Sequence, residues 1–418
     1  MDRSSRNLVY GLLLVIIVVG VGSGMFMIGL SAGRAQAAPA ATPAATDTAS
    51  PASSTQSPET PAATSSGDIL QKLGLLKEAY NLIQSEFYGE IPSDDQLTYG
   101  AIRGMLHSLG DETTSFIEPN IARIIREDAS GSFEGIGALV RINASQKVEL
   151  VRIIRNSPAE AEGLKAGDQI VAVDGRSIVG MGLYEAIALI RGPAGTKVTL
   201  TVERPGAREP FDVSVTRAKL ENPLVESRMI GSDVAYVLLT GFDGTATDRL
   251  KRDLDSLLAR NPKGLILDLR GNPGGFLDQA ISVADLFLAD GIVVVERERD
   301  GGEQTFRSDD GDLAEKIPLA VLVDAGSASA SEIVAGAIQD RGRGKLIGTL
   351  TFGKGSVQRL HELSDGSELR VTVARWFTPN DRAIHGTGIE PDILVEAGED
   401  TAADVQLDRA VELLRTGQ

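Results

Sequence analysis

No cysteine occurs among the 418 residues, which excludes a disulfide scaffold, a thiolate nucleophile and any cysteine-ligated metal. Histidine is scarce as well. His107, His361 and His385 are too few and too scattered for a zinc site, and His361-Glu362 does not continue as HExxH because position 365 is Asp. None of the three lies in a recognisable nucleophile motif, so a Ser/His/Asp triad finds no support. No metal and no other cofactor is expected. Positive charge is in deficit: 41 Lys and Arg against 58 Asp and Glu give a formal charge of −17. With no basic stripe to neutralise phosphates, a nucleic-acid partner is disfavoured. The 42% hydrophobic content and 46 glycines describe a globular chain long enough for two or three domains.

The N-terminus reads differently from the rest. Leu8 to Leu30 is one apolar run preceded by Arg3 and Arg6, long enough to cross a bilayer with the N-terminus inside. Ala35-Gln36-Ala37 resembles a signal-cleavage site. Residues 1–30 are therefore read as an anchor or a signal, the anchor being favoured. Residues 31–67 are mostly Ala, Pro, Thr and Ser, with almost nothing apolar to bury, and read as a disordered linker. From 68 to 130 the pattern turns helical, with Ile69, Leu73, Leu76, Tyr80 and Ile83 at three- and four-residue spacing.

Chemistry concentrates further on. The buried-strand pattern PLAVLV, residues 318–323, leads through GSASASEI to a helix expected from Ala330 to Gln339. Ser329 then sits at a helix start, where unpaired N–H groups and the helix dipole favour a developing oxyanion. Lys354, in TFGKGSVQ, follows 25 positions later. A serine hydroxyl needs a base, and a lysine serves once burial lowers its pKa from about 10.4 towards 7 or 8. Phe352 and Val357, with the small Gly353 and Gly355, suggest a desolvated pocket, and Gln358 is placed to hold the amine. Taken alone, Ser329 to Glu332 fits a capping box, and a lysine between glycines fits a solvated turn. A third motif changes the balance. LILDLRGNPGG, residues 265–275, is a buried strand running into a glycine-rich loop and then a helix over 276–289, so the N–H groups of Gly275 and Ala330 can converge on one oxyanion. GTLTFGK only approaches a phosphate-binding loop: position 355 is Gly, and SVQRL continues as strand.

DLRGNPGG, VLVDAGSASASEIVAGAIQD, GTLTFGKGSVQ, LSDGSELRVTVARW and TPNDRAIHGTGIEPD follow one another in this order. The chain resembles the carboxyl-terminal processing, or tail-specific, proteases: PDZ-bearing serine endopeptidases. The likeness spans about residues 70–400. It implies Ser329 as nucleophile, Lys354 as general base, Gln358 as its orienting partner, and Gly275 and Ala330 as oxyanion donors. It also implies a homodimer built by the N-terminal helices. One departure is Asp381, where relatives more often carry glycine, which leaves the geometry of that turn open.

Residues 131–217 fit a PDZ domain, most clearly at SPAEAEGLKAGDQI. Such a domain takes a chain end as an added strand and holds its carboxylate in a glycine-containing loop. Gly135, Ile136 and Gly137 are the candidates for that loop, with an ordinary glycine bend as the alternative. Arg191 is a possible link between peptide capture and catalysis, a surface salt bridge being the plainer reading. From 218 to 400 strands alternate with helices at 246–260, 276–289 and 330–340, an α/β pattern, and 401–418 reads as a C-terminal helix. The expected whole is an α/β protease core with an inserted PDZ domain, an N-terminal helical segment and an N-terminal transmembrane helix. Its expected partners are proteins or peptides with exposed C-termini, the membrane, and a second copy of itself. The expected location is the bacterial cell membrane, with the catalytic part extracytoplasmic, or secretion if the N-terminus is cleaved. A catalytically idle, tethered PDZ scaffold is the alternative function.

Overall fold

The computed structural model describes residues 66–396 and 403–417. The apolar run Leu8–Leu30 and almost all of the 31–67 linker lie outside these residues. Among the described residues no helix is long and apolar enough to cross a membrane.

Two helices, Ser66–Glu86 and Asp94–His107, open the described chain. Tyr80 on the first donates a 2.6 Å hydrogen bond to Asp94 at the start of the second. Leu73, Leu76, Leu82, Ile83 and Phe87 are exposed.

The catalytic-core candidate is built on a six-stranded sheet. Val225–Ile230 runs antiparallel to Val234–Leu239, which is followed in parallel by Gly264–Asp268, Leu319–Val323, Lys345–Gly348 and Ile393–Leu394. Strands Gly264–Asp268 and Leu319–Val323 are buried at every position. That follows from a parallel sheet covered on both faces, which needs apolar side chains on both sides of each strand. Helices Ala246–Leu258, Leu277–Asp285 and Ala330–Asp340 pack with Leu265, Leu267, Val321 and Val323 on one face. Helix Val405–Thr416 packs Ala410 and Val411 with Ile266, Ala320, Leu322 and Ile347 on the other.

A second, antiparallel sheet went unexpected. Glu368–Phe377 pairs with Ser356–Glu362, Gly291–Glu298 and Ser115–Ile117, and Gly291–Glu298 with Glu303–Ser308. Ser115–Ile117 falls inside the stretch expected to be helical. Its three residues are too short to show an alternating period, and the sheet supplies their pairing. Helix Pro119–Ala129 follows it.

Residues 138–216 form a smaller six-stranded sheet with helices Pro158–Ala161 and Leu183–Ile190. Strand Ala138–Ile142 lies at the sheet edge. A two-stranded ribbon, Ser132–Gly135 against Ala218–Glu221, joins this sheet to the core at both ends.

Because Leu322 is fully buried, Leu322→Ala lowers the urea-unfolding free energy by about 2–5 kcal/mol. Leu360, half exposed on the antiparallel sheet, is the contrast: Leu360→Ala changes it by less than about 0.5 kcal/mol.

Candidate active site

Three loops leave the carboxyl edge of neighbouring parallel strands, the place where open α/β sheets gather ligands. They begin after Asp268, Val323 and Gly348. The first two are stitched together. Asn272 donates to the Leu239 carbonyl (2.8 Å) and accepts from the Gly274 N–H (2.9 Å), while its own carbonyl accepts from the Ala328 N–H (3.0 Å) and the Ser331 hydroxyl (2.9 Å). Asp324 accepts from the Gly271 N–H, and Ser327 donates to the Leu269 carbonyl, each at 2.8 Å.

Ser329 stands where this loop becomes helix Ala330–Asp340, with φ 55° and ψ −113°. That backbone state is strained for any residue with a Cβ. No cap hydrogen bond comes from its side chain, so the hydroxyl is not spent on the helix end. The capping relation is carried from the other side: Glu332 accepts from the Ser329 N–H at 2.8 Å.

Glu332 does more than cap. It is fully buried. Its Oε2 also accepts from the Lys354 N–H (2.8 Å), and its Oε1 from the Gly353 N–H (2.7 Å) and the Thr351 hydroxyl (2.6 Å). One oxygen thus receives the main-chain N–H of both Ser329 and Lys354, which puts the two backbones within two hydrogen-bond lengths of each other. Burial pushes the Glu332 carboxyl up, against the four donors that favour its ionised form.

The Lys354 amine is pushed down to about 8, first by burial, then by the Arg370 charge, with Glu332 opposing. Arg370 is itself buried, 3.3 Å from Glu368, and Glu368 is held at 2.7 Å by Arg126. Phe352 is half exposed, and its N–H donates to the Ser327 carbonyl at 3.0 Å. The backbone of residues 384–388 passes close to Gly353 and Gly355, on either side of Lys354. A Cβ on Gly355 would lie 2.3 Å from the His385 nitrogen, so this crossing requires glycine. Gln358, two residues into strand Ser356–Glu362, donates its amide Nε2 to the Thr113 carbonyl. Residues 348–354 lead into that strand and not into a helix, which removes the phosphate-loop likeness.

Gly275 takes φ 152° and lies so close to the Phe242 carbonyl that a Cβ would sit 2.2 Å from it. Phe242 bonds Gly274 and Phe276 on either side, 3.0 and 2.8 Å, and in a parallel bridge this turns the Gly275 N–H away from Phe242. Gly274 packs against Ser329 and the Ala330 nitrogen, so the Gly275 and Ala330 N–H groups belong to one neighbourhood. Asp381, at φ 62°, adopts the left-handed turn that glycine would take, and its carboxylate pairs with Arg297 at 2.5 Å.

In the smaller domain a groove runs between edge strand Ala138–Ile142 and helix Leu183–Ile190. Gly135, Ile136 and Gly137 line one end of it, with Phe133 and Ile190. The Ile136 and Gly137 carbonyls accept from Ala159 and Ile154, at 2.8 and 2.9 Å. Arg191 lines the groove too, and here the surface reading is corrected. Its side chain is 10% exposed, pairs at 2.8 Å with Asp128, which is 4% exposed, and lies 4.7 Å from the Phe133 ring centre. Asp128 stands on helix Pro119–Ala129, 63 positions before Arg191, so residue order does not reveal the pair.

Glu332 was legible only as a cap; Arg370, Thr351 and Thr113 carried no separate signal. Replacing the strained serine gives a direct test of its backbone: Ser329→Gly raises the unfolding free energy by about 1 kcal/mol, read by chemical denaturation, because glycine relieves the positive φ.

Residues 233–395 match peptidase family S41, residues 149–204 a PDZ domain, and residues 19–120 the N-terminal domain of the activating protease CtpB. The carboxy-terminal processing protease CtpA of Bacillus subtilis is 40% identical over 332 residues, covering 79% of this chain and 70% of that protein. The carboxy-terminal-processing protease of Bartonella bacilliformis is 42% identical over 314 residues, covering 74% and 72%. Among solved structures, a photosystem II D1 C-terminal processing protease aligns with a TM-score of 0.51 and 32% identity over 76% of this chain and 86% of that one. With the PDZ domain in place and such identity sustained across most of its length, the chain belongs to peptidase family S41 and is a carboxy-terminal processing protease, a serine-type endopeptidase.

Proposed function

We propose that this endopeptidase cuts protein tails with a Ser329/Lys354 dyad through an acyl-enzyme. The observation that carries the reading is the single Glu332 oxygen that accepts the N–H groups of both residues. A neutral Lys354 amine takes the proton from the Ser329 hydroxyl as its oxygen bonds to the scissile carbonyl carbon. The Gly275 and Ala330 N–H groups receive the oxyanion. Collapse of the tetrahedral intermediate breaks the C–N bond, and Lys354 returns the proton to the leaving amine. Water, activated by the same amine, then releases the acyl group from Ser329. Gln358 orients Lys354.

Substrate tails enter by the PDZ groove, adding a strand beside Ala138–Ile142 with the terminal carboxylate at Gly135, Ile136 and Gly137. The apolar side chains exposed on helix Ser66–Glu86 support a homodimer made by the N-terminal helices. The run Leu8–Leu30 supports a single-pass anchor in a bacterial cell membrane, with the catalytic part extracytoplasmic. Membrane fractionation before and after removal of residues 1–30 tests that anchor: the full chain should pellet with membranes and the shortened one should not.

The dyad is tested by cleavage of a reporter ending in an unstructured tail. Ser329→Ala and Lys354→Ala each lower kcat by about three orders of magnitude or more, and wild-type rates in both variants would refute the assignment. The pH dependence follows from the Lys354 amine near 8. Only the deprotonated amine is a base, so kcat rises with pH through about 8 and falls roughly tenfold per unit on the acid side. A rate that is flat from pH 6 to 9 would place the proton acceptor elsewhere.

A further inference from the structure

We propose that Asp111 is a positioning residue for the dyad: the turn it ties, Asp111–Thr114, presents the Thr113 carbonyl to the Gln358 amide and so fixes which end of that amide meets Lys354. This rests on the reading of Gln358 given above. Asp111 Oδ1 accepts from the Thr113 N–H (3.2 Å) and hydroxyl (2.7 Å), and Oδ2 from the Thr114 N–H (3.2 Å) and hydroxyl (2.6 Å). One carboxylate therefore takes both main-chain and both side-chain donors of two successive residues, and the turn has no freedom left.

The turn is also fastened to the catalytic sheet. The Thr113 and Thr372 hydroxyls are 2.8 Å apart, and the Thr372 N–H donates to the Thr114 hydroxyl at 3.1 Å. Thr372 is the cross-strand partner of Gln358. The Thr113 carbonyl then receives Gln358 Nε2. A carbonyl can be met only by the NH₂ end of a glutamine amide, since two acceptors would repel. That contact selects one of the amide's two orientations and leaves Oε1, an acceptor, at the opposite end. An acceptor there suits a lysine amine, which brings only donors when protonated and offers its lone pair to serine when neutral. Strand Ser115–Ile117 follows the turn directly, with Ser115 opposite Arg370, whose charge bears on Lys354. Gln358 and Arg370 are thus both met by one short segment lying more than 200 positions before Lys354 in the chain.

The test is a double-mutant cycle on the full-length protein with the tail-bearing reporter. Asp111→Ala and Gln358→Ala should each lower kcat about tenfold or more with KM within about twofold, and the double variant should be no slower than Gln358→Ala alone. Asp111→Asn, which keeps an oxygen for Thr113 but loses one acceptor for Thr114, should fall between wild type and Asp111→Ala and secures the test if the alanine variant folds poorly. The acid limb of kcat should move in the same direction, and by a similar amount, in Asp111→Ala and Gln358→Ala. Losses that multiply in the double variant, or a loss in Asp111→Asn that tracks only its folded fraction, would overturn the role of Asp111 while leaving Gln358 in place. A Gln358→Ala variant as fast as wild type would instead remove the underlying assignment of Gln358.

Discussion

The site depends on one buried carboxylate. Glu332 is fixed by the first turn of helix Ala330–Asp340, and its two oxygens take four donors, one from the Ser329 backbone and three from the loop that carries Lys354. A buried charge with all its neighbours donating is costly to disturb, because losing one donor leaves part of the desolvation uncompensated. The geometry of the Ser329 backbone follows from this. A residue at φ 55° and ψ −113° persists only where its surroundings over-determine it, and here the determination comes from Asn272 and Asp324 on one side and Glu332 on the other. The same carboxylate favours a protonated Lys354, while burial and Arg370 oppose it. The amine near 8 is the balance of those three, which is the range a base working near neutral pH needs.

The parallel part of the core was readable because its strands are buried on both faces and therefore appear as continuous apolar runs: LILD and LAVLV could hardly be anything else. The helices that follow carry a clear three- to four-residue period. Ser329 alone fits a capping box and Lys354 alone a solvated turn; what singled them out was their combination with the glycine-rich loop that ends at Gly275. The antiparallel sheet was less visible. Glu368–Phe377 alternates, but its partners Ser115–Ile117 and Gly291–Glu298 come from distant places, and three residues of Ser-Phe-Ile hold no period. For the same reason the Asp111–Thr114 turn read as part of a helical region: its meaning lies in Thr372 and Gln358, which residue order does not bring near.

Burial of charge was the other blind spot. Arg191 and Asp128 look like surface residues in sequence, as do Glu368 and Arg370, yet all four are largely shielded from water. Whether an ion pair is solvated is decided by tertiary packing, and here helix Pro119–Ala129, whose own pattern says only that it is amphipathic, supplies Asp128 to Arg191 and Arg126 to Glu368. Phe352 goes the opposite way: an aromatic side chain expected to be shielded is half exposed, while the backbone of residues 384–388 lies against Gly353 and Gly355.

The ribbon made by Ser132–Gly135 and Ala218–Glu221 has a mechanical meaning. A domain inserted into a chain is tethered twice, and when both tethers are paired side by side the attachment behaves like a door leaf on one pin: swinging about the ribbon's long direction leaves the four paired positions intact, whereas any other rotation tears them. Asn222, immediately after the ribbon, bonds back to the carbonyls of Gly131 and Asp128, so the pin is bolted to the frame at its base. Arg191, which lines the groove, is paired with Asp128 beside that same base, so an occupant of the groove bears on the body of the enzyme through this buried ion pair as well as through the angle of the leaf.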